Sequence, residues 1–528
     1  MKKIIFLITL FSFLSCSEKK TVLDIPLTSS SEEAKRIISD NLFFNNGNTS
    51  FRIYSGRTVP ALEKVLELDP NFEFAKAIYA DIQNNFVFKN NNRREILESA
   101  FKNRNKVSDI ERAIIESIYY RRVEGNKIKA ASVLKQIINE NPEYYYLRVY
   151  NGFFQNTVMQ NPKESKLNWN EALKINPNSN ISKFLLAQLH FNVDGSFFIL
   201  EADEIDLNYA TNLLKEIEKS EPSNFEPKRL LGNIYRVYGD FDASLKSYES
   251  AIELIEDKSG FDYALLLLLS GHVYVFNSEY EKGRTFYQRA VEVRQNVNFE
   301  SLVRRWSSNS YLYEKRYDLA IVAIDKLQKD FENYNLDPLT KKGLLSGCAF
   351  EKFIAYAHSQ MKEEAFESLE TMVSLNNEIK EIRVSNTTTE SEMNNIVLET
   401  ELNLQFNKIW YNILFGEYEL ARESLKNYSL LSSEYLTFDS KAMVGFYKLS
   451  GYLNLMEGNI PQSISFYDQI PKALLEKDNY HLYFYALAKK ANGNTEESKE
   501  LFKFLANYNF AGWENSIVRN LAVQQNKI

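Results

Sequence analysis

Histidine, cysteine and paired carboxylates are the side chains most able to do chemistry, and in this chain they are few and scattered. Its 528 residues hold four histidines and two cysteines. His190, His272, His358 and His481 lie far apart in sequence, and none has a second ligand at the spacing zinc requires. Each fits a surface or partly buried position on a helix, so no metal site is expected. The acidic pairs Glu363-Glu364 and Glu496-Glu497 stand at turn exits, where carboxylates are favoured by the positive end of the helix that follows. General acid–base work is not needed to explain them. No Gly-rich phosphate loop, GxSxG elbow or HExxH pair occurs. The expectation is a protein with no catalytic residue, no cofactor and no enzyme activity.

The two cysteines point elsewhere. Lys2 and Lys3 precede an apolar run from Ile4 to Leu14, too short to span a bilayer comfortably, so residues 1–15 read as an export signal. The run ends in Phe13-Leu14-Ser15-Cys16, which resembles the lipobox of bacterial lipoproteins. That resemblance implies that Cys16 is diacylated and becomes the new N-terminus. Only Cys348 then remains, in LLSGCAFEKF, where it reads as a buried helix residue, and no intramolecular disulfide is available. Formal net charge is −7 and becomes −7 − 2 = −9 without Lys2 and Lys3, which argues against nucleic acid as the main partner.

What must position any site is helical. Only 11 Pro and 18 Gly accompany 44% hydrophobic and 14% aromatic residues, a composition for a well-packed, mostly helical chain. In FEPKRLLGNIYRVYGDFDASLKSYESAIELIE, from Phe225 to Glu256, Leu231, Gly232 and Tyr235 share one face of a first helix. Gly239-Asp240 breaks it, and Leu245, Tyr248, Ala251 and Ile252 line a second. Leu231, Gly232, Tyr235, Gly239, Tyr248 and Ala251 make this stretch resemble a tetratricopeptide repeat (TPR), with Ser244 where alanine is usual.

The pattern recurs. Ile114, Ile115 and Ile118, the turn Gly125-Asn126, then Ala131, Leu134 and Ile138 form another unit that stops at Pro142. The next stop, Pro177, falls 35 residues later. An insertion at Asp194 to Asp206 interrupts the frame, and units with Gly271, Tyr287 and Ala290, then Tyr311, Tyr317 and Ala320, follow it. Weaker copies continue to the end. The fold expected is an all-α, right-handed α-solenoid of about ten TPR-like hairpins, of the exported bacterial lipoprotein type. Its expected divisions are a signal at 1–15, a lipid-anchored linker at 16–31, the N-terminal part of the solenoid at 32–376, and its C-terminal part at 400–528. Between the two parts lies a polar loop or boundary at 377–399, centred on VSNTTTESEMNN. Ser30, three residues before Glu33, is expected to cap the first helix, and Asn507 to Ala522 to cover the last apolar face.

TPR domains that grip peptides use polar residues on the first helices, which line the concave side. Carried onto this chain, that resemblance implies Arg229 with Asn233, Arg305 with Asn309, and Arg236 and His272 on the same groove. The intervening repeat puts Leu268 and Leu269 where polar groups would be wanted, so a complete carboxylate clamp is absent, and a solvated helix face explains the same residues. The function implied is a non-enzymatic scaffold for a protein or peptide, held at the membrane by its N-terminal lipid in the bacterial cell envelope. Two alternatives stand beside it. One is a glycan-binding lipoprotein resembling the SusD group of nutrient-uptake systems. The other is a regulatory or sensory arm, because SDIERAIIESIYYRRVEGNKIKAASVL resembles TPR segments attached to bacterial signalling enzymes.

Overall fold

The structure, a computed structural model, describes residues 25–41, 58–82, 92–191, 198–293, 296–387, 389–509 and 512–526. The expected export signal and Cys16 lie outside the described residues, as does part of the insertion. Among the described residues there is no strand. Helices pair with their chain neighbours from Glu32–Asn41 with Thr58–Leu68 through Val444–Met456 with Ile460–Tyr467, and Asn479–Ala491 pairs with Thr495–Asn507. The architecture is the expected right-handed α-solenoid of TPR-like hairpins, about ten in number, and a final helix, Trp513–Gln525, follows the last pair.

Local chemistry sets where each hairpin turns. Gly125, Gly239, Gly416, Gly458 and Gly493 adopt positive φ between a first helix and its partner, which ends the first helix without steric cost. Gln160, Ser278, Lys315 and Gln360 hold the same left-handed turn position with a side chain. Second helices then start on side-chain caps. Asn126, Asn161 and Asp240 each accept from the backbone N–H three residues on, and Ser108 opens a first helix through a full capping box with Glu111.

The two helices of a unit meet at a glycine under an aromatic ring. A Cβ placed on Gly232 would lie 2.4 Å from the Tyr248 ring, on Gly271 2.6 Å from Tyr287, and on Gly451 2.8 Å from Tyr467. Gly152 holds the same place beneath Trp169, whose Nε1 donates to the Val149 carbonyl at 3.1 Å. Ser244 fills the position where alanine is usual because its hydroxyl donates to the Gly232 carbonyl at 2.7 Å, and Ser463 does the same for Gly451 at 2.7 Å.

Three local expectations are corrected. Residues Asn376 to Asn395 do not form a loop: helix Lys362–Ser385 runs through the first half, and Glu390–Leu414 restarts on a Thr389 cap. A polar sequence without apolar period still extends two long helices here, and one connected apolar core reaches from Leu312 to Ala522 across the break. The first helix is capped by Ser31, whose hydroxyl accepts from the Ala34 N–H, while Ser29 and Ser30 donate to the Asp69 carboxylate at 2.7 and 3.0 Å. The tether does not extend to residue 31, since Ile25 is buried and the Ser108 hydroxyl donates to the Pro26 carbonyl at 2.9 Å.

The solenoid winds far enough to touch itself. Arg94 makes a two-pronged ion pair with Glu392, and Lys127 meets Asp439 at 2.5 Å. Further on, Lys472 reaches Asp203 at 3.1 Å, and the Asn509 amide donates to the Arg236 carbonyl at 3.0 Å. Early hairpins thus lie against late ones in the same order along the chain.

Candidate functional site

First helices line the inside of the winding, and helix Trp513–Gln525 lies against them. It packs on Thr495–Asn507, Val297–Tyr313 and Asn479–Ala491. Arg519 stands 5.8 Å from the Phe276 ring of Phe261–Phe276, and Trp513 meets Phe350, Trp410 and Tyr480 at 5.9, 5.3 and 5.5 Å between ring centres. The sequence places this segment at the end of the array as a cap. The structure packs it on both helices of the last hairpin, as a cap would be, and carries it onto Val297–Tyr313 as well.

Polar side chains of the segment fix it there. The Asn515 amide donates to the Tyr313 hydroxyl at 3.1 Å and to the Tyr508 carbonyl at 2.9 Å, and the Asn520 amide donates to the Tyr313 carbonyl at 2.8 Å. The Asn509 amide oxygen accepts from Arg519 at 2.9 Å while its nitrogen holds the Arg236 carbonyl. Val518 and Ala522 supply the apolar underside.

The six inner-face candidates take different places in this setting. Asn233 is 2% exposed and accepts from the Tyr248 hydroxyl at 2.6 Å. His272 is 1% exposed with its Nδ1 2.6 Å from the Tyr287 hydroxyl, and burial followed by the charge of Arg236 holds its imidazole uncharged, well below its ordinary pKa. Asn309 is buried as well. Arg229 pairs with Glu226 at 2.7 Å and Arg305 with the buried Glu351 at 2.8 Å. Arg236 differs from all of them. It is 1% exposed, and its Nε and Nη1 have no hydrogen-bond partner. A buried guanidinium without a counter-charge is costly, so its presence calls for a reason.

Glu351 is engaged by Arg305, and Glu514, in the first turn of the last helix, is pushed up to about 8 by burial and then by the neighbouring Asp478. At neutral pH Glu514 is mostly protonated. Glu514 lies inside Asn507 to Ala522, expected from the sequence as a terminal cap, and nothing in its sequence context singles it out.

The remaining chemistry-bearing residues serve packing. Burial raises the Cys348 thiol to about 12 and lowers His190, His358 and His481 to about 4. Among the described residues no group of His, Cys, Asp and Glu is arranged to hold a metal ion, and no helix is long and apolar enough to cross a membrane. A cleft of about 440 Å³ between neighbouring hairpins is lined by Asn139, Asn151, Asn168, Gln155 and Arg148, with no aromatic ring among its lining residues.

No family model matches the chain, and no curated protein matches it. Solved structures with partial likeness include the apo form of RapI, at 14% identity over 75% of this chain and 99% of that one, with a TM-score of 0.36. The P58(IPK) TPR domain is 13% identical over 80% of this chain and 99% of its own, with a TM-score of 0.22. The human IFIT1 dimer with PPP-AAAA is 14% identical over 79% of this chain and 85% of its own, with a TM-score of 0.35. At such values the likeness is one of helical architecture alone.

Proposed function

We propose that this chain is a non-enzymatic scaffold that binds a protein or peptide on the inner face of its solenoid, carried on the bacterial cell envelope by a lipid on Cys16. The observation that carries the binding part is Arg236, a guanidinium buried on the inner face with two nitrogens left without partners. Leaving such a group unpartnered is costly, and a negatively charged partner would relieve that cost. Arg229, on the same helix, and Arg305, on the first helix two hairpins later, are less deeply buried. The envelope part rests on the signal-like residues 1–15 and the lipobox-like residues before Cys16.

Two experiments test the two parts. Cys16→Ser should move the protein from the membrane fraction to the soluble one; continued membrane association defeats the lipid anchor. Cells expressing a tagged copy, crosslinked and purified under denaturing conditions, should yield a defined partner with the native chain and several-fold less of it with Arg236→Gln. Equal recovery with that variant removes the inner face from the account.

A further inference from the structure

Three helices wall the cleft of about 440 Å³: the second helix Lys127–Glu140, the first helix Tyr145–Thr157 and the second helix Pro162–Ile175. Its polarity departs from that of equivalent positions elsewhere. Counted from the glycine beneath the ring, Gln155 holds the place of Tyr274 in the Gly271 hairpin, and Asn168 the place of Phe286. Tyr274 and Phe286 face one another with ring centres 5.0 Å apart. Asn151 holds the place of Leu231 in the Gly232 hairpin. Here the three amides form a chain instead: Asn151 donates to Asn168 Oδ1 at 3.0 Å and accepts from Gln155 Nε2 at 3.4 Å. Charge in the cleft is lopsided as well. Among the described residues, Arg148 and Lys135 make no hydrogen bond and no ion pair, and the Arg148 Nε is buried. The one acid on the lining, Glu164, already accepts from the Asn168 amide at 3.2 Å.

We propose that this cleft is a second binding site, which takes an extended, acidic peptide segment of a partner protein. Its main chain pairs with Asn139 and Gln155, and one of its carboxylates pairs with Arg148, with Lys135 adding positive charge on the facing wall. Spacing selects an extended chain. Polar groups stand four residues apart on each wall: Lys135 and Asn139, Asn151 and Gln155, Glu164 and Asn168. Four residues advance about 6 Å along a helix. Two residues advance about 6.6 Å along an extended strand, so groups on one side of such a chain recur at nearly the same interval. A side-chain amide carries both a donor and an acceptor, as the peptide main chain does. Charge complementarity selects the acid, because a guanidinium offers a carboxylate a matched pair of donors and none of its own is already taken. Second helices supply two of the three walls, so the site stands apart from the inner face, which first helices line. Either site can fail without the other.

The test selects binders from a displayed library of random peptides on the purified full chain and measures their affinities by calorimetry. Selected peptides should share acidic residues; a selection without them overturns the proposal. Arg148→Gln should weaken their binding about tenfold, and so should exchange of the peptide's own Asp or Glu for the amide. The two losses should not add when both changes are made, because they remove one contact. Equal binding to native and Arg148→Gln chains, or additive losses, overturns the carboxylate assignment. Arg148 has no partner to strand, so the melting midpoint of Arg148→Gln should match that of the native chain and separate lost binding from lost folding. Gln155→Ala should weaken acidic and neutral peptides by the same factor of several-fold; an unchanged affinity overturns the main-chain role. Arg236→Gln should bind the peptides as the native chain does, and loss of binding there moves them to the inner face and overturns the second site. Inorganic phosphate should not displace the peptides, and maltoheptaose should give no heat. Displacement by phosphate means that the cleft holds a free anion, and sugar heat that vanishes in Arg148→Gln means that it holds a glycan; either result defeats the peptide proposal.

Discussion

The Tyr248 hydroxyl donates to Asn233 Oδ1 at 2.6 Å, and the same ring lies over Gly232, the residue before Asn233. One repeat later, Tyr287 lies over Gly271 and its hydroxyl meets His272 Nδ1 at 2.6 Å. A single device, glycine followed by a polar residue, thus receives both the face and the hydroxyl of the tyrosine from the second helix. Tyr248→Phe should leave Asn233 buried without its donor and cost about 1–3 kcal/mol, read as a shift in denaturant midpoint. Tyr248→Phe with Asn233→Leu should recover part of that loss, because neither partner is then left unsatisfied.

Gly232→Ala should be worse than its size suggests. The added methyl would meet the Tyr248 ring at 2.4 Å, with Tyr248 fully buried and unable to withdraw. Overpacking of this kind costs about 1–3 kcal/mol, whereas alanine at an open helix position usually stabilises. Thermal unfolding of Gly232→Ala beside Gly343→Ala, where nothing lies within 4 Å of the new methyl, separates the two effects.

Arg305→Ala should destabilise the fold rather than act only on binding. Its partner Glu351 has a side chain 3% exposed, so removal of the guanidinium strands a buried carboxylate. The expected loss is about 3 kcal/mol, and Arg305→Gln with Glu351→Gln should restore much of it. A stability unchanged by Arg305→Ala would mean that the pair is better hydrated than its burial implies.

Stability should peak near neutral pH, with the two limbs owed to different groups. Burial lowers His190, His358 and His481 to about 4 from an ordinary value near 6.5, so the unfolded chain binds their protons more readily. Their contribution is whole above about 6.5 and is lost as pH falls towards 4, at roughly 1.4 kcal/mol per pH unit for each titrating group. Glu514 has the opposite sign. Raised to about 8, it favours the folded state fully only below its unfolded value and loses that contribution as pH rises through 8. Melting midpoints at pH 5, 6.5 and 8.5 should be highest at the middle value, and Glu514→Gln should flatten the alkaline limb and steepen the acid one, because the loss of the Glu514 contribution begins above its unfolded value and opposes the histidine limb.

Much of this was legible in sequence, and the reasons for the remainder are physical. The Gly232, Tyr248 and Ala251 pattern carries the hairpin because close approach of two helices demands a small residue opposite a large one, and that demand repeats. Turns at Gln160, Ser278, Lys315 and Gln360 were harder to see, since a left-handed residue with a side chain leaves no glycine to mark it. Asn376 to Asn395 looked like a loop because long helices at this point expose much of their surface and have little apolar period. Asn233 and His272 looked like surface groups on helical spacing alone; their tyrosine partners lie on another helix, a relation that periodicity along one helix does not carry. The seat of Trp513–Gln525 was invisible for the same reason on a larger scale, because it depends on how far the array winds before its end meets Arg236 and Tyr313.

The central claim is that a protein partner is held on the inner face, and site-specific photocrosslinking in cells tests it most directly. A photoreactive residue would replace Arg229 on a first helix, or Leu167 and Val322, which are 54% and 64% exposed on second helices. The account predicts one discrete partner adduct from position 229 and none from 167 or 322. An adduct from the outer positions, with none from 229, would contradict it.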